Sequence, residues 1–338
     1  GKVTKVAICN TGSEDGCNYS VYSFYRAVLP VCTDAADINN DGFPDLVTLD
    51  MLPESNFDQK MHSGAENFEK FRYLFSRGFH RQYSRNMLHV NNGYGQFSEI
   101  GQLAGISNTD WSWSALLKDF DNDGNSDLFV TNGYVRDYTD MDFIKYSVDH
   151  QAELQESGGS SDAMMDYIKT MPGHPMSNYM FRNEGGYSFK NVSHEWGFDR
   201  VGVYSGASCA DLDGDGDLDL VTSVTNGKAG VFLNQSPKDN VSLRFDLKGE
   251  GSNTQGIGAV VKTYAGGSMH HLEHHITRGF QSSIEPIMHV GIGKVKKADS
   301  VRIIWPNGRT QLLRDLVPGK IIQLKQSEAT KNDDPIMP

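Results

Sequence analysis

Three nine-residue segments place carboxylate side chains at one shared spacing. They read DINNDGFPD at 37–45, DFDNDGNSD at 119–127 and DLDGDGDLD at 211–219, with Asp or Asn at positions 1, 3, 5 and 9. Alternate residues of a tight loop can turn their oxygens toward one centre, and a ligand set made only of oxygens selects a hard cation. Flexible carboxylate loops favour Ca²⁺ over Mg²⁺, which requires a stricter octahedron. The spacing therefore predicts one calcium site per segment.

The predicted ligands are the side chains at positions 1, 3, 5 and 9 together with the backbone carbonyl at position 7. Position 6 is Gly in every segment, which permits the sharp bend that wraps the chain around an ion. The first site is expected to be the weakest, because Asn39 replaces a carboxylate and Pro44 stiffens the turn. The predicted metal ligands are Asp37, Asn39, Asp41, Phe43 and Asp45; Asp119, Asp121, Asp123, Asn125 and Asp127; and Asp211, Asp213, Asp215, Asp217 and Asp219.

An EF-hand is the obvious rival interpretation of these segments. The twelfth position, where an EF-hand carries a bidentate Glu, is Thr48, Val130 or Thr222. Each segment also runs into a β-type apolar sequence (LVTL, LFVT or LVTS) rather than into a helix. The loops are therefore predicted to be turns between strands.

Charge and composition restrict the class of partner. The 338 residues carry 31 Lys and Arg against 43 Asp and Glu, and the three segments alone hold aspartates enough to account for the net charge of −12. An acidic balance argues against a nucleic-acid backbone or an anionic membrane surface as the main partner. No stretch approaches the roughly 18 consecutive apolar residues of a membrane span. The 35 glycines favour a turn-rich, mostly β chain.

The elements around the segments repeat. The sequence beginning NMLHVNNG at Asn86 matches the sequence beginning NYMFRNEG at Asn178, with an offset of 92 residues that extends through both acidic segments. The first segment lies 82 residues before the second, and VFLNQ at 231–235 resembles a fourth start. About four short strands per repeat match one blade of a β-propeller.

Both periods exceed the about 45–60 residues of a blade, so the chain must contain insertions. They are predicted at about 51–85 and 135–177, where helix-like apolar spacing occurs. Each follows a strand after an acidic segment, so both should project from one face of the array. They could be packed surface helices or a lid over a binding face.

The segments and their upstream Asn…Asn…Gly…Phe pattern resemble the FG-GAP/VCBS repeats of integrin-α-type β-propellers. The resemblance covers about residues 1–236 and implies a partial β-propeller whose calcium ions are mainly structural. Because propellers close with about four to eight blades, the chain is expected to be part of a longer protein and to lack N-terminal blades. Residue 1 is Gly, so a removed signal peptide and an excised fragment both remain open.

The remaining chain has a different pattern. SNTQGIGA at 252–259, RGFQSS at 278–283, HVGIG at 289–293 and VRIIWPNGRTQ at 301–311 resemble the ASPIC/UnbV domain. We therefore expect a β-rich domain at 237–326 and a disordered tail at 327–338. Such domains follow VCBS propellers in secreted and surface proteins, including the cartilage-acidic-protein group, and this architecture is most similar to Bacteroidetes-type proteins.

The resemblance implies an extracellular or cell-surface adhesion or ligand-binding module, which holds structural calcium in its propeller loops and binds a protein or glycan ligand. A Ca²⁺-dependent polysaccharide lyase or glycan-processing protein is the alternative. It would need a base and aromatic side chains beside an ion that has an open coordination position. The sequence has no GxGxxG, P-loop, GxSxG or HExxH motif, so no catalytic residue is predicted and an enzyme is the less favoured reading.

Three smaller features leave alternatives open. In MHHLEHHI, His270, His271, His274 and His275 could be exposed on an edge strand or could contribute to a zinc site. Trp111 and Trp113 could pack between blades or stack on a sugar. Two of Cys9, Cys17 and Cys32 could form a disulfide, or all the cysteines, including Cys209, could be free.

Overall fold

The structure is a computed structural model that describes residues 26–27, 32–62, 68–79, 82–156, 161–236 and 239–330. The described residues are mostly β, as predicted. The strands are β1 (Arg26–Ala27), β2 (Cys32–Ala36), β3 (Asp45–Leu49), β4 (Met51–Leu52), β5 (Gln82–Tyr83), β6 (Met87–Asn91), β7 (Phe97–Glu99), β8 (Asp110–Lys118), β9 (Asp127–Asn132), β10 (Tyr179–Asn183), β11 (Phe189–Asn191), β12 (Tyr204–Ala210), β13 (Asp219–Val224), β14 (Gly230–Phe232), β15 (Ser242–Lys248), β16 (Val260–Ala265), β17 (Ser268–Glu273), β18 (Ile287–Gly291), β19 (Ala298–Ile304), β20 (Thr310–Leu316) and β21 (Ile321–Lys325).

Three sheets follow one another along the repeat portion. Their strand orders are β2-β3-β6-β7, β11-β10-β9-β8-β4 and β12-β13-β14, and the pairs within them are antiparallel. The three acidic segments form the turns between β2 and β3, between β8 and β9, and between β12 and β13, which excludes an EF-hand helix after any of them. The sheets therefore have the strand order of propeller blades.

The boundaries of the sequence repeats do not coincide with the boundaries of the sheets. The repeat that starts at Asn86 supplies β6 and β7 to the first sheet and β8 and β9 to the second. The repeat that starts at Asn178 is divided in the same way between the second and third sheets. One sequence repeat therefore ties two neighbouring sheets together.

The second sheet is buried on both faces, which explains why every residue of β9 is buried. Successive side chains of a strand point to opposite faces. Accordingly Ala115 and Leu117 of β8 pack toward the first sheet, whereas Leu116 packs toward the third. The two cores between the sheets give the repeat portion a propeller-like stack.

Both insertions contain helices, as predicted. The first holds α1 (Asn56–Met61) and α2 (Phe68–Ser76), and the second holds α3 (Met141–Glu156) and α4 (Ser161–Thr170). The first insertion lies between β3 and β6 and the second between β9 and β10, so both lie at the strand ends opposite the acidic turns. Neither α1 nor α2 buries a side chain. None of the helices in the described ranges is long and apolar enough to cross a membrane.

Two further sheets, β18-β15-β21 and β17-β16-β19-β20, enclose one separate core around Trp305. The WPNGR sequence forms the predicted hairpin turn between β19 and β20, with Gly308 at φ +77°. Within the predicted tail, Gln326–Glu328 form a short 3₁₀ helix, and the Thr330 amide donates to the Thr310 carbonyl (3.0 Å). The tail is therefore ordered up to Thr330, and residues 331–338 lie outside the described residues.

Cysteine pairing is settled for two residues. Cys32 and Cys209 are free, buried thiols, so a disulfide through Cys32 is wrong. Cys9 and Cys17 lie outside the described residues. Each described thiol packs in an apolar core between two sheets, which accounts for its burial.

Candidate functional site

The three acidic loops share one backbone path. The position 6 glycines, Gly42, Gly124 and Gly216, have φ values of +92°, +94° and +96°, a region that residues with a Cβ rarely adopt. In each loop the amide of position 7 donates to the carboxylate of position 5, at 2.8–3.0 Å. Gly occurs at position 6, as predicted, because the backbone there is left-handed.

The position 9 aspartates fix each loop to its sheet. Asp127 is fully buried, and its two oxygens accept from the amides of Phe120 (3.0 Å) and Asn183 (2.9 Å). Asp45 and Asp219 make the corresponding pairs of bonds. The loop carboxylates are therefore organised by backbone amides before any ion is considered.

The structure brings together positions 1, 3 and 9 of two loops. One oxygen each of Asp119, Asp121 and Asp127 lies within 4.8 Å of the others, and Asp211, Asp213 and Asp219 form the equivalent group. Position 5 is not part of these groups. In the first loop, Asn39 Nδ2 donates to Asp41 (2.9 Å), and no three-carboxylate group forms among the described residues there. That the first site is the weakest stays a prediction.

Burial and mutual repulsion disfavour the ionised form of the carboxylates in the second loop. Burial, followed by repulsion from the neighbouring loop carboxylates, raises the pKa of Asp119 and Asp127 well above the usual carboxyl range. Burial likewise raises the pKa of Asp45 in the first loop to about 7. An oxygen-only donor set with this excess negative charge fits a hard divalent cation.

Asparagine side chains link the loops in chain order. Asn183 Nδ2 donates to the Ile38 carbonyl of the first loop (2.8 Å), and Asn234 Nδ2 donates to the Phe120 carbonyl of the second (2.6 Å). Asn40 reaches the Gly124 carbonyl (3.0 Å). The side chains at position 7 of the second and third loops serve these links rather than facing an ion: Asn125 accepts from Asn40, and Asp217 accepts from Asn122. Sequence reasoning missed this network, although Asn91, Asn183 and Asn234 recur at one place in the repeat.

The C-terminal domain covers the loops. His270 Nδ1 donates to the Gly124 carbonyl (3.0 Å), His289 Nε2 bonds to Asn122 Oδ1 (2.6 Å), and Arg244 forms an ion pair with Asp211. A Cβ on Gly291 would collide with Asp119 Oδ2, which shows how closely β18 approaches the second loop. Arg244, His270 and His289 are therefore engaged in contacts between the C-terminal domain and the loops.

This docking corrects the expectation that the MHHLEHHI histidines are exposed. His270 and His274 are buried, because β17 is an edge strand whose histidines face the domain junction; His275 is exposed. The two nitrogens of His271 and Nε2 of His274 have no hydrogen-bond partner. Among the described residues, the histidines of this strand form no group of three converging metal ligands.

A second contact joins the domains through the RGFQSS segment. Arg278 pairs with Asp34 (2.7 Å), and both side chains are buried. Phe280 packs edge-on against Trp113 (5.1 Å between ring centroids). Trp113 therefore packs against the C-terminal domain, whereas Trp111 lies at the insertion end beside Tyr134 (4.2 Å).

Comparison with known proteins agrees with this geometry. The FG-GAP-like repeat model matches residues 73–130 and 161–222, and the ASPIC and UnbV model matches residues 249–331. Cartilage acidic protein 1 of Xenopus tropicalis is 26% identical over 286 residues, which cover 74% of this chain and 42% of that protein. Its Homo sapiens counterpart is 24% identical over 288 residues, covering 74% and 41%. The chain thus spans less than half the length of either relative. The chain therefore combines segments similar to FG-GAP-like repeats with a segment similar to the ASPIC and UnbV domain.

Proposed function

We propose that the chain is an extracellular calcium-binding module that binds a protein or glycan ligand at the cell surface or in the matrix. The observation that carries the calcium assignment is the convergence of three carboxylates from positions 1, 3 and 9 in the second and third loops. The name of the relatives, cartilage acidic protein 1, supports an extracellular location.

The ions are proposed to stabilise the fold. The ligands would be the predicted loop residues, with Asp119, Asp121 and Asp127 central to the second site and Asp211, Asp213 and Asp219 central to the third. A bound Ca²⁺ would neutralise carboxylates that are buried close together, which removes their mutual repulsion. Since the loops also contact one another and the C-terminal domain, each ion would stabilise contacts beyond its own sheet.

The lyase alternative has less support. It requires a base and aromatic side chains beside an ion with an open position. Near the loops, Arg244, His270 and His289 bond to loop atoms instead. Exposed aromatic side chains occur at both ends of the strands. Phe43 and Tyr187 lie at the first acidic loop, where Asn39 Nδ2 donates to the Tyr187 hydroxyl (3.2 Å), and Phe57 and Phe68 lie on the helices of the first insertion. Binding is therefore the function we propose.

Removing calcium is expected to lower the melting temperature by about 10 °C, because an ion held at 1,000 times its dissociation constant stabilises a fold by roughly 4 kcal/mol per site. The measurement is elemental analysis after dialysis against low-calcium buffer, followed by thermal unfolding with and without EDTA and with Ca²⁺ restored. We expect two tightly held ions and a weaker third. Protein that holds no calcium and melts at the same temperature in EDTA would contradict the assignment.

The ligand surface is proposed to lie on the first insertion. Phe57 on α1 and Phe68 on α2 are exposed to 70% and 71%, and Tyr73 and Phe75 of α2 are also exposed. Large exposed apolar side chains that fall within one segment are typical of interaction sites. Phe57→Ser and Phe68→Ser are expected to weaken ligand binding about 10-fold or more, without loss of stability.

Glycan and matrix-protein arrays provide the ligand for this measurement, and binding is then quantified for each variant. Leu312→Ser is the matched control, because Leu312 is exposed (56%) on β20 of the C-terminal domain. Equal losses in all three variants would place the surface elsewhere. The absence of any ligand on the arrays would argue against a binding function, whatever the calcium result.

A further inference from the structure

Two histidines and a buried aspartate meet where the two insertions touch. One ligand atom each of His62, Asp137 and His174 lies within 4.8 Å of the other two. The strand β8, which runs from this end to the second acidic loop, has nine residues and so spans roughly 27 Å. We propose that this cluster, hereafter the insertion site, binds one transition-metal ion, with Zn²⁺ the best fit.

The donor types distinguish the insertion site from the loops. Imidazole nitrogens suit Zn²⁺ and its neighbours in the first transition row, whereas Ca²⁺ prefers oxygen alone. His62 Nδ1 lies 3.2 Å from Asp137 Oδ2. Metal–ligand bonds of about 2.0–2.2 Å at tetrahedral angles place ligand atoms about 3.3 Å apart. The pair therefore has the separation of two ligands on one zinc ion.

A further carboxylate lies beside His174. Asp110 Oδ2 lies 3.4 Å from His174 Nε2, so it can orient the imidazole ring. The group of converging ligand atoms contains His62, Asp137 and His174 but not Asp110, which leaves the fourth position of a tetrahedral ion to water or to another ligand. Asp110 also has a left-handed backbone, at φ +63°, which is uncommon for a residue with a Cβ and is frequent at functional sites.

Neighbouring groups hold the ligands in place. Asp137 Oδ1 accepts from the amide of Thr139 (2.8 Å), from its hydroxyl (2.7 Å) and from the amide of Asp140 (3.1 Å). The Tyr134 hydroxyl also hydrogen-bonds to the Asp137 carboxylate, whose Oδ2 lies beside His62 Nδ1. The ring of His174 stacks on Tyr134, with 5.3 Å between centroids. Hydrogen bonds and ring contacts of this kind orient metal ligands and are typical of metal sites in proteins.

The insertion site is accessible and connects separate parts of the chain. The side chain of Asp137 is buried, but those of His62 and His174 are 13% and 26% exposed, so an ion can enter from solvent. His62 follows α1 in the first insertion, whereas Asp137 and His174 flank the helices of the second. A bound ion would therefore fix the first insertion against the second, where the backbones of His62 and Asp140 already pair.

The test uses tag-free protein dialysed against Zn²⁺ in excess Ca²⁺, with metal content measured afterwards. We expect one zinc per chain, and a visible absorption spectrum of a four-coordinate site when Co²⁺ replaces it. His174→Ala should reduce the zinc content to near zero. His275→Ala is the matched control, since His275 is also partly exposed and also pairs with a carboxylate (Glu273, 3.2 Å), and it should retain the zinc.

His62→Ala gives an independent check if His174→Ala fails to fold, and the Co²⁺ spectrum of the unmodified protein needs no variant. Asp213→Asn, which alters only a proposed calcium loop, should leave zinc binding unchanged. Zinc-free protein after dialysis, or the same zinc content in both His62→Ala and His174→Ala, would overturn the proposal. Loss of zinc in His275→Ala alone would also overturn it, because the ion would then belong to β17.

Discussion

Replacing Asp127 with alanine is expected to lower the free energy of unfolding by about 2–6 kcal/mol and to remove one calcium ion. Asp127 is fully buried, and its oxygens accept from the amides of Phe120 and Asn183. The substitution leaves both donors buried without partners, at about 1–3 kcal/mol each. Denaturant unfolding in EDTA measures the cost of the two unpaired donors. The same measurement in calcium also includes the stability that is lost with the ion.

Asp213→Asn separates the two contributions. Asp213 is an exposed ligand candidate in the third loop, and an amide oxygen can still accept from the Asp215 amide. We expect this variant to lose calcium affinity while its stability in EDTA stays within about 0.5 kcal/mol of the original protein. If Asp127→Ala were as stable as the original protein in both buffers, Asp127 would not fix the second loop to its sheet.

Replacing Arg278 with alanine is expected to cost about 3–5 kcal/mol and to loosen the C-terminal domain. The change leaves Asp34 buried with an uncompensated charge, which is the costly way to break a buried ion pair. It also removes the bond from Arg278 to the Ala35 carbonyl (2.9 Å). Denaturant unfolding measures the cost, and the fluorescence of Trp113, which contacts Phe280, reports the loosening.

Two further variants make this prediction sharper. Adding Asp34→Asn to Arg278→Ala should recover part of the lost stability, because the charge that was left unpaired is removed. Arg182→Ala breaks a surface pair with Glu184, whose side chains are 37% and 41% exposed, and it should cost at most about 1 kcal/mol. A loss below about 1 kcal/mol for Arg278→Ala would mean that this contact does not hold the domains together.

The acidic loops could be predicted because their chemistry is local. Nine consecutive residues carry the ligand spacing, the left-handed Gly and the start of the next strand, so the turn between β8 and β9 follows from the sequence alone. The division of each repeat between two sheets did not follow, since the internal period of a repeat does not define where a sheet begins. Where a sheet begins depends on the pairing of strands such as β3 and β6, which an insertion separates in the sequence.

The remaining site features depend on distant contacts. His270 meets Asn40 across 230 residues and Gly124 across 146. Alternation along β17 could assign His270 to one face, but it could not show that another domain covers that face. His62, Asp137 and His174 likewise lie on two insertions, with no short spacing that a motif would detect.

The docking of the C-terminal domain onto the loops has a consequence for how the protein is made. Chains are synthesised from the N-terminus at about 5–20 residues per second, and domains generally fold as they emerge. Residues 37–219 therefore leave the ribosome before His270 and His289 exist. The three loops are therefore complete before the C-terminal domain contacts them, and the calcium that we propose for them can bind first.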